Sequence, residues 1–460
     1  MFEVQTGEGW GDCSGVSRRS FLQAGTLGLG GLTLPTLLRL RAASPQLNEI
    51  ARDKSIVMLF LTGGPSQIET FDPKMGAPAE FRSVTGEIPT SIPGVTFGGT
   101  LTRMAPLADR MAIIRSFAHD NPDHDRAVHL VARGGNESEA GMGAIVSRLR
   151  GTNHPEMGTP TNVYVAGQEI DRQFNKERLR LLLGLTAGEL GSVYAPFEPG
   201  GNGPANENLK LGISVDRVRD RRKLRASLDR LQRSVDRSGT MESLDRYESQ
   251  AMEMLLGKAA SAFDLSQEDP RTVERYDTSH MRTGLSKYRD SSLGEQMLLA
   301  RRLCEAGATF VTVHNPGWDM HGGPTQYAMK KGMTELFAPV DHSVSAFLED
   351  IEQRGLSDKV LFILTGEFGR TPKVNQRGGR DHWANLCTLM FAGGGLRMGQ
   401  VIGQSTEKAE RPAARPISLE NLFATVLHFL FDVSELRLLT NLPRSVARAL
   451  DKGEPIHELF

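Results

Sequence analysis

The chain has 460 residues, 39% hydrophobic and 24% charged, an ordinary globular composition that excludes an intrinsically disordered protein and leaves open one large domain with insertions or two domains. Its 54 Lys+Arg against 55 Asp+Glu give a formal charge of -1, so no global field recommends nucleic acid or an anionic membrane surface as a partner. The cysteines, Cys13, Cys304 and Cys387, are too few for a disulfide framework and lack zinc-ribbon spacing, so they read as one thiol in a removed leader and two buried ones.

The N-terminal stretch "SRRSFLQAGTLGLGGLTLPTLL" joins Arg18-Arg19 and Phe21-Leu22 to a mildly apolar, glycine-rich run, and residues 1–43 read as a twin-arginine export signal. Gly25, Gly28, Gly30 and Gly31 would weaken a soluble helix, and a spanning helix needs about 20 apolar residues without this much glycine. A periplasmic or extracellular protein is therefore expected, with no transmembrane span beyond an uncleaved leader. Short apolar runs follow: "SIVMLFL" (55–61), "MAIIRSF" (111–117), "NVYVA" (162–166), "ATFVTVH" (308–314), "KVLFILT" (359–365) and "CTLMFAG" (387–393). Each predicts a strand buried on both faces. Amphipathic segments lie between several of them, among them "PVDHSVSAFLEDIEQRG" (339–355), which places Val340, Val344, Phe347, Leu348 and Ile351 on one face. Strand, helix, strand predicts an α/β fold with a mostly parallel sheet, and such sheets collect ligands at the carboxyl ends of their strands. The stretch from about 215 to 260 departs from this rhythm. Leu224, Leu228, Leu231 and Val235 recur at helical spacing, predicting a helical hairpin inserted outside the sheet over about 205–290. Its arginines alternate with Asp216, Asp220, Asp229 and Asp236, a solvated face and not a nucleic-acid surface.

Candidate site residues gather after two strands. Glu367 is the first charged residue beyond 359–365, and 308–314 runs into "HNPGWDMHGG", whose Asp319 and His321 point to one side if the loop is extended. "GGRDHW" adds Asp381 and His382 just before the run at 387. A lone Asp-His pair is more often a surface or capping pair. Several acid and histidine clusters at strand ends predict instead a shared divalent-metal site of Asp319, His321, Glu367 and His382. Carboxylate with imidazole suits zinc, manganese or iron better than calcium or magnesium.

Four long motifs, "LFLTGGPSQIETFDPK", "PTSIPGVTFGGTLTRMAPLADRMAIIRSFAHDNPDHDRAVH", "LARRLCEAGATFVTVHNPGWDMHGG" and "GEFGRTPKVNQRGGRDHW", occur in order. Over about residues 50 to 435 the chain resembles the exported bacterial family catalogued as domain of unknown function 1501. That family is regarded as related to the alkaline phosphatase and sulfatase superfamily. The resemblance implies one domain over 44–460, a three-layer α/β/α sandwich with a mostly parallel central sheet, and a metal centre hydrolysing sulfate or phosphate esters. Asp319 and His321 resemble the superfamily's first metal group, Glu367-Phe368 takes the place of its Asp-His pair, and His382 resembles the last ligand. His124 falls where the superfamily places its nucleophile, at the start of the helix "HDRAVHLVARGG", with no hydroxyl or thiol beside it. It is left as a metal ligand, a phosphate-accepting imidazole or a relic. Arg370, with Arg126, is the expected clamp on the anion, and Thr62-Gly63-Gly64 replaces the superfamily's first-strand Asp with a turn open to an anion, Asp72 being another source of a carboxylate. Two functions follow: a metal-dependent hydrolase of anionic small-molecule or polysaccharide esters, or a non-catalytic exported binding or partner-dependent protein that keeps the fold. The oligomeric state is not readable.

Overall fold

Each apolar run read as a strand is one, and the continuous burial of those strands shows why they carry no polar alternation. The computed structural model describes residues 50–136, 138–167, 174–199, 259–283, 289–323, 326–439 and 442–460. The chain divides into units 1–51 and 52–460, and of the first only Ile50 and Ala51 are described. The leader at 1–43 and the predicted helical segment 215–260 lie outside the described residues, apart from its last two positions.

The main sheet has seven strands: β1 Ser55–Thr62, β2 Met111–Ile114, β3 Asn162–Ala166, β4 Phe310–Pro316, β5 Val360–Thr365, β6 Leu389–Gly393 and β7 Gln400–Ile402. Their spatial order is β7-β2-β6-β5-β1-β4-β3. β5, β1, β4 and β3 pair in parallel. β6 runs antiparallel to both β5 and β2, so β2 and β7 point the same way as the central four. β2 stops at Ile114, three residues before the predicted end, and Phe117 continues only as an isolated bridge to Ile417.

Helices cover both faces, making the α/β/α layers. Val57, Leu59 and Leu61 of β1 share one core with Val311 and Val313 of β4, Phe362 and Leu364 of β5, and Phe337, Val340 and Val344 of the helix Met329–Gln353. That helix begins ten residues before the predicted start and carries Pro339 in its interior. The lost N–H and the ring clash normally stop a helix at proline. Here buried Met333 and Phe337 upstream and Val340 downstream hold one continuous apolar face against the sheet, and tertiary packing overrides the local signal. On the opposite face Ile56, in register with Phe310, is also buried, and Gly143 of the helix Met142–Arg150 sits close against Phe310. Cys304 and Cys387 are both buried, as predicted, and burial pushes each thiol up to about 12, which leaves it protonated and inert. No helix among the described residues is long and apolar enough to cross a membrane.

The register aligns the carboxyl ends of β1, β4 and β5. Thr62 lies opposite Pro316, and Phe60 opposite Thr365. The chain leaving β1 enters Gly63-Gly64, that leaving β4 enters Trp318-Asp319, and that leaving β5 enters Glu367-Phe368, all at one edge. Gly63 has φ +111° and a Cβ there would stand 2.5 Å from the Asp319 amide nitrogen, so the first of these turns admits only glycine.

Candidate metal centre

Three histidines and one aspartate meet above this edge. Asp319 Oδ1 lies 2.9 Å from His321 Nε2, 3.2 Å from His382 Nε2 and 3.4 Å from His124 Nε2. His124, Asp319 and His382 each offer one ligand atom within 4.8 Å of the other two. His321 Nε2 lies 2.9 Å from His382 Nε2. His124 comes from the first turn of the helix His124–Arg133, capped by Asp123, whose carboxylate accepts from the Arg126 amide. His382 comes from a short ribbon in which Gly369–Arg370 pairs antiparallel with His382–Trp383.

The second ring nitrogens decide what the first can do. His124 Nδ1 faces Glu367 Oε1 at 2.8 Å, His321 Nδ1 faces Asp381 Oδ1 at 2.7 Å, and His382 Nδ1 faces the Pro122 carbonyl at 2.9 Å. Carboxylates and carbonyls only accept, so each Nδ1 carries the proton and donates. In the neutral rings every Nε2 is then a lone pair, and all of them face Asp319 Oδ1. Such a cluster of acceptors repels itself unless a cation, or added protons, sits among them. A carboxylate or carbonyl behind each imidazole is also the support that fixes a metal-bound histidine. The donor set therefore fits a divalent ion.

Protons are the competing cation. Burial opposes protonation of His124, but Asp319 and Glu367 outweigh it and raise its pKa to about 9. His321 is also raised, chiefly by its bond to Asp319. Burial pushes His382 down. Burial opposes ionisation of Asp319, and the three imidazoles and Arg370 override it and hold the carboxyl well below the usual range.

Of the predicted ligands, Asp319, His321 and His382 converge. Glu367 is fully buried next to them, its Oε1 accepting from His124 Nδ1 and from the Gly63 amide at 2.7 Å, while its Oε2 has no hydrogen-bond partner among the described residues. The Gly63 turn does approach an anion with its backbone, and that anion is the Glu367 carboxylate. His124 takes a place among the Nε2 donors. Asp72 stands apart from this group, bonded to Ser405 and paired with Lys74 and Arg115.

Arg370 differs from the expected clamp. It is fully buried and donates to the carbonyls of Gly63, Gly64, Trp318 and Arg380 and, at 2.6 Å, to Asp319 Oδ1. Its Nη1 also lies 3.4 Å from His321 Nε2. With every nitrogen engaged inside the protein, it braces the turns and Asp319 and keeps no donor for a substrate anion. Arg126 is exposed on the capped helix.

Three supports escaped the sequence reading. His119 Nε2 lies 2.6 Å from the Glu367 carbonyl, and Gln326 donates to Asp319 Oδ2 at 2.9 Å. Arg380 and Glu69, both fully buried, pair at 3.0 Å, and Glu69 also accepts from Ser83 Oγ and the Val84 amide. That pair pins the segment carrying Asp381-His382 to the chain after β1. The one legible signal was the position of His119 in the loop after a strand.

The family model described as Protein of unknown function (DUF1501) matches residues 53–460. The chain belongs to that family. No curated protein matches it. Among solved structures it is similar to the PsFucS1 sulfatase from Pseudoalteromonas sp., at 12% identity and TM-score 0.34, covering 85% of this chain and 71% of that one. It is also similar to the alkaline phosphatase of the Antarctic bacterium TAB5, at 11% identity and TM-score 0.32, covering 77% and 95%. A third is the phosphonate monoester hydrolase SpPMH from Silicibacter pomeroyi, at 9% identity and TM-score 0.28, covering 82% and 73%. Likenesses this remote decide nothing about chemistry, which has to come from the residues of the centre.

Proposed function

We propose that the protein is an exported, metal-dependent hydrolase of sulfate or phosphate esters. The observation that carries this reading is the set of Nε2 lone pairs aimed at Asp319 Oδ1, each made a lone pair by an acceptor on the opposite ring nitrogen. His124, Asp319 and His382 would hold the ion and His321 complete the set, a mixture of nitrogen and oxygen donors suited to zinc, manganese or iron. The buried Oε2 of Glu367, without a hydrogen-bond partner among the described residues, leaves one more carboxylate oxygen for a cation. A divalent ion at this place supplies Lewis acidity toward an ester oxygen and acidifies water. The chain's own groups do the rest. Asp319, braced by Arg370 and Gln326, is held to one orientation, and Glu367, Asp381 and the Pro122 carbonyl keep the imidazole protons away from the reacting side. His124, Asp319, His321, Glu367 and His382 offer no hydroxyl or thiol, and with His124 Nε2 turned to the ion, water is the attacking group that this reading uses.

That same lack of a hydroxyl or thiol, together with the engaged donors of Arg370, favours the second reading, an exported protein that binds an anion or metal without turnover. Elemental analysis of the purified protein, melting curves with and without chelator, and hydrolysis of 4-nitrophenyl phosphate and 4-nitrophenyl sulfate separate the two. With an ion at about 100 times its Kd the linkage stabilises the fold by roughly 2.7 kcal/mol. His382→Ala should lose most of the bound metal and of the chelator-sensitive shift, whereas the exposed Glu407→Ala should not. Metal without turnover supports the binding reading; no metal and no chelator effect removes the hydrolase reading.

A further inference from the structure

The buried Oε2 of Glu367, without a hydrogen-bond partner among the described residues, is open to the ion of the centre or to a second ion beside it. The groups around Glu367 separate the two cases. Its Oε1 accepts from His124 Nδ1 and from the Gly63 amide. His119, whose Nδ1 accepts from the Asn121 amide, donates from Nε2 to the Glu367 carbonyl, and the fully buried Arg370 guanidinium attracts the carboxylate. Each of these neighbours is a donor or a cation and has no lone pair to give a metal. Phe368, the next residue, brings only hydrocarbon. Its ring is fully buried, with its centroid 4.8 Å from that of His124 and 4.6 Å from that of His382, and Arg370 lies 5.7 Å from its centre. A Cβ on Gly64 would stand 2.5 Å from the same ring, so the ring is packed on that side as well.

Resting on the metal centre of the hydrolase reading, we infer that the centre takes a single divalent ion per chain, and that the apolar ring of Phe368 is what keeps a second one out. Among the described residues, His124, Asp319 and His382 are the one group of three such side chains with ligand atoms within 4.8 Å of one another. Charge gives the same count. Asp319, Glu367 and Asp381 are three carboxylates, Arg370 is one guanidinium, and imidazoles that ligate are neutral. One divalent ion balances them. A second would leave an excess of positive charge beside the buried Arg370, with no further acid to offset it and only a phenyl ring against it.

The test strips the full chain with a chelator and titrates it with cobalt(II), followed by visible absorption, with zinc content read in parallel by elemental analysis after dialysis. The parent protein is expected to saturate at one ion per chain. Phe368→Leu keeps the space apolar and should also stop at one. Phe368→His sets a ring nitrogen beside the His124 and His382 rings and should take up a second, weaker ion, seen as a second break in the titration. Adding Glu367→Gln to Phe368→His should remove that second ion and keep the first. Two ions in the parent protein, or a second ion in Phe368→Leu, would overturn the inference and leave the metal centre and the hydrolase reading standing. A folded Phe368→His protein that stops at one ion would take the excluding role away from Phe368, and if that variant does not fold, the counts for the parent and for Phe368→Leu decide. A parent protein that takes up no ion removes the centre itself and the hydrolase reading with it.

Discussion

Glu367 stands immediately behind His124, and the difference between ligand and support is measurable at this one residue. Its carboxylate accepts from His124 Nδ1 and from the Gly63 amide. Glu367→Gln keeps the shape and an accepting oxygen but removes the charge that makes the imidazole a stronger donor. We expect metal affinity to fall about 10–100-fold, the usual effect of losing such a partner, with the fold intact. Competition against a chelator of known affinity reads it. Complete loss of metal would instead make Glu367 a direct ligand through Oε2, and an unchanged affinity would remove it from the centre.

At the scale of elements, the centre depends on two short turns and one buried ion pair. Gly63 lies where the chain after β1 passes the Trp318-Asp319 backbone, with a positive φ and no room for a Cβ. Gly63→Ala is expected to cost more than about 1 kcal/mol, through φ strain plus displacement of Asp319. Urea unfolding and metal titration should both register it, and a change in neither would mean that the turn has slack. The Glu69-Arg380 pair acts over a longer reach. Arg380→Met leaves a buried carboxylate still bonded to Ser83 and the Val84 amide but without its cation, so about 3–5 kcal/mol should be lost. Adding Glu69→Leu to Arg380→Met should recover part of the stability, because the apolar pair leaves no unpaired charge.

Over the whole molecule, the segment after residue 259 is tied to the main domain by charge. Glu268 meets Arg301, Arg302 and Arg354, and Arg301 and Arg354 also meet Asp350 in the long helix Met329–Gln353. Burial works against ionisation of Glu268, but Arg302, Arg301 and Arg354 outweigh it and hold its pKa at about 2. A pKa depressed by folding contributes stability that is complete above the unfolded value, near 4.3, and is lost as pH falls toward 2. Allowing for solvent screening, about 2 kcal/mol should disappear over that window, and Glu268→Gln should flatten the decline. Melting temperatures between pH 6 and 2.5 test this, and parallel curves for the two proteins would contradict it. Export belongs to the same scale. If the leader is a twin-arginine signal, changing both Arg18 and Arg19 to Lys should hold a tagged protein in the cytoplasm. Normal arrival in the periplasm would end that reading.

Continuous apolar runs such as "SIVMLFL" and "KVLFILT" determined the parallel sheet without help, because a strand buried on both faces has no other composition available to it. The placement of Asp319, His321 and His382 just beyond or between such runs likewise made their convergence legible, since parallel strands must deliver their loops to one edge. Which partner each residue meets there was decided by tertiary structure alone. β6 inserts antiparallel between β2 and β5, the carbonyl of Pro122 takes the proton of His382, Arg370 spends its donors on four backbone carbonyls, and Glu367 turns toward His124. Hydrophobic pattern is local and periodic, so it survives in one dimension. Hydrogen-bond partners more than 200 residues apart, and backbone acceptors that no side-chain identity marks, exist only once the strands have set their register.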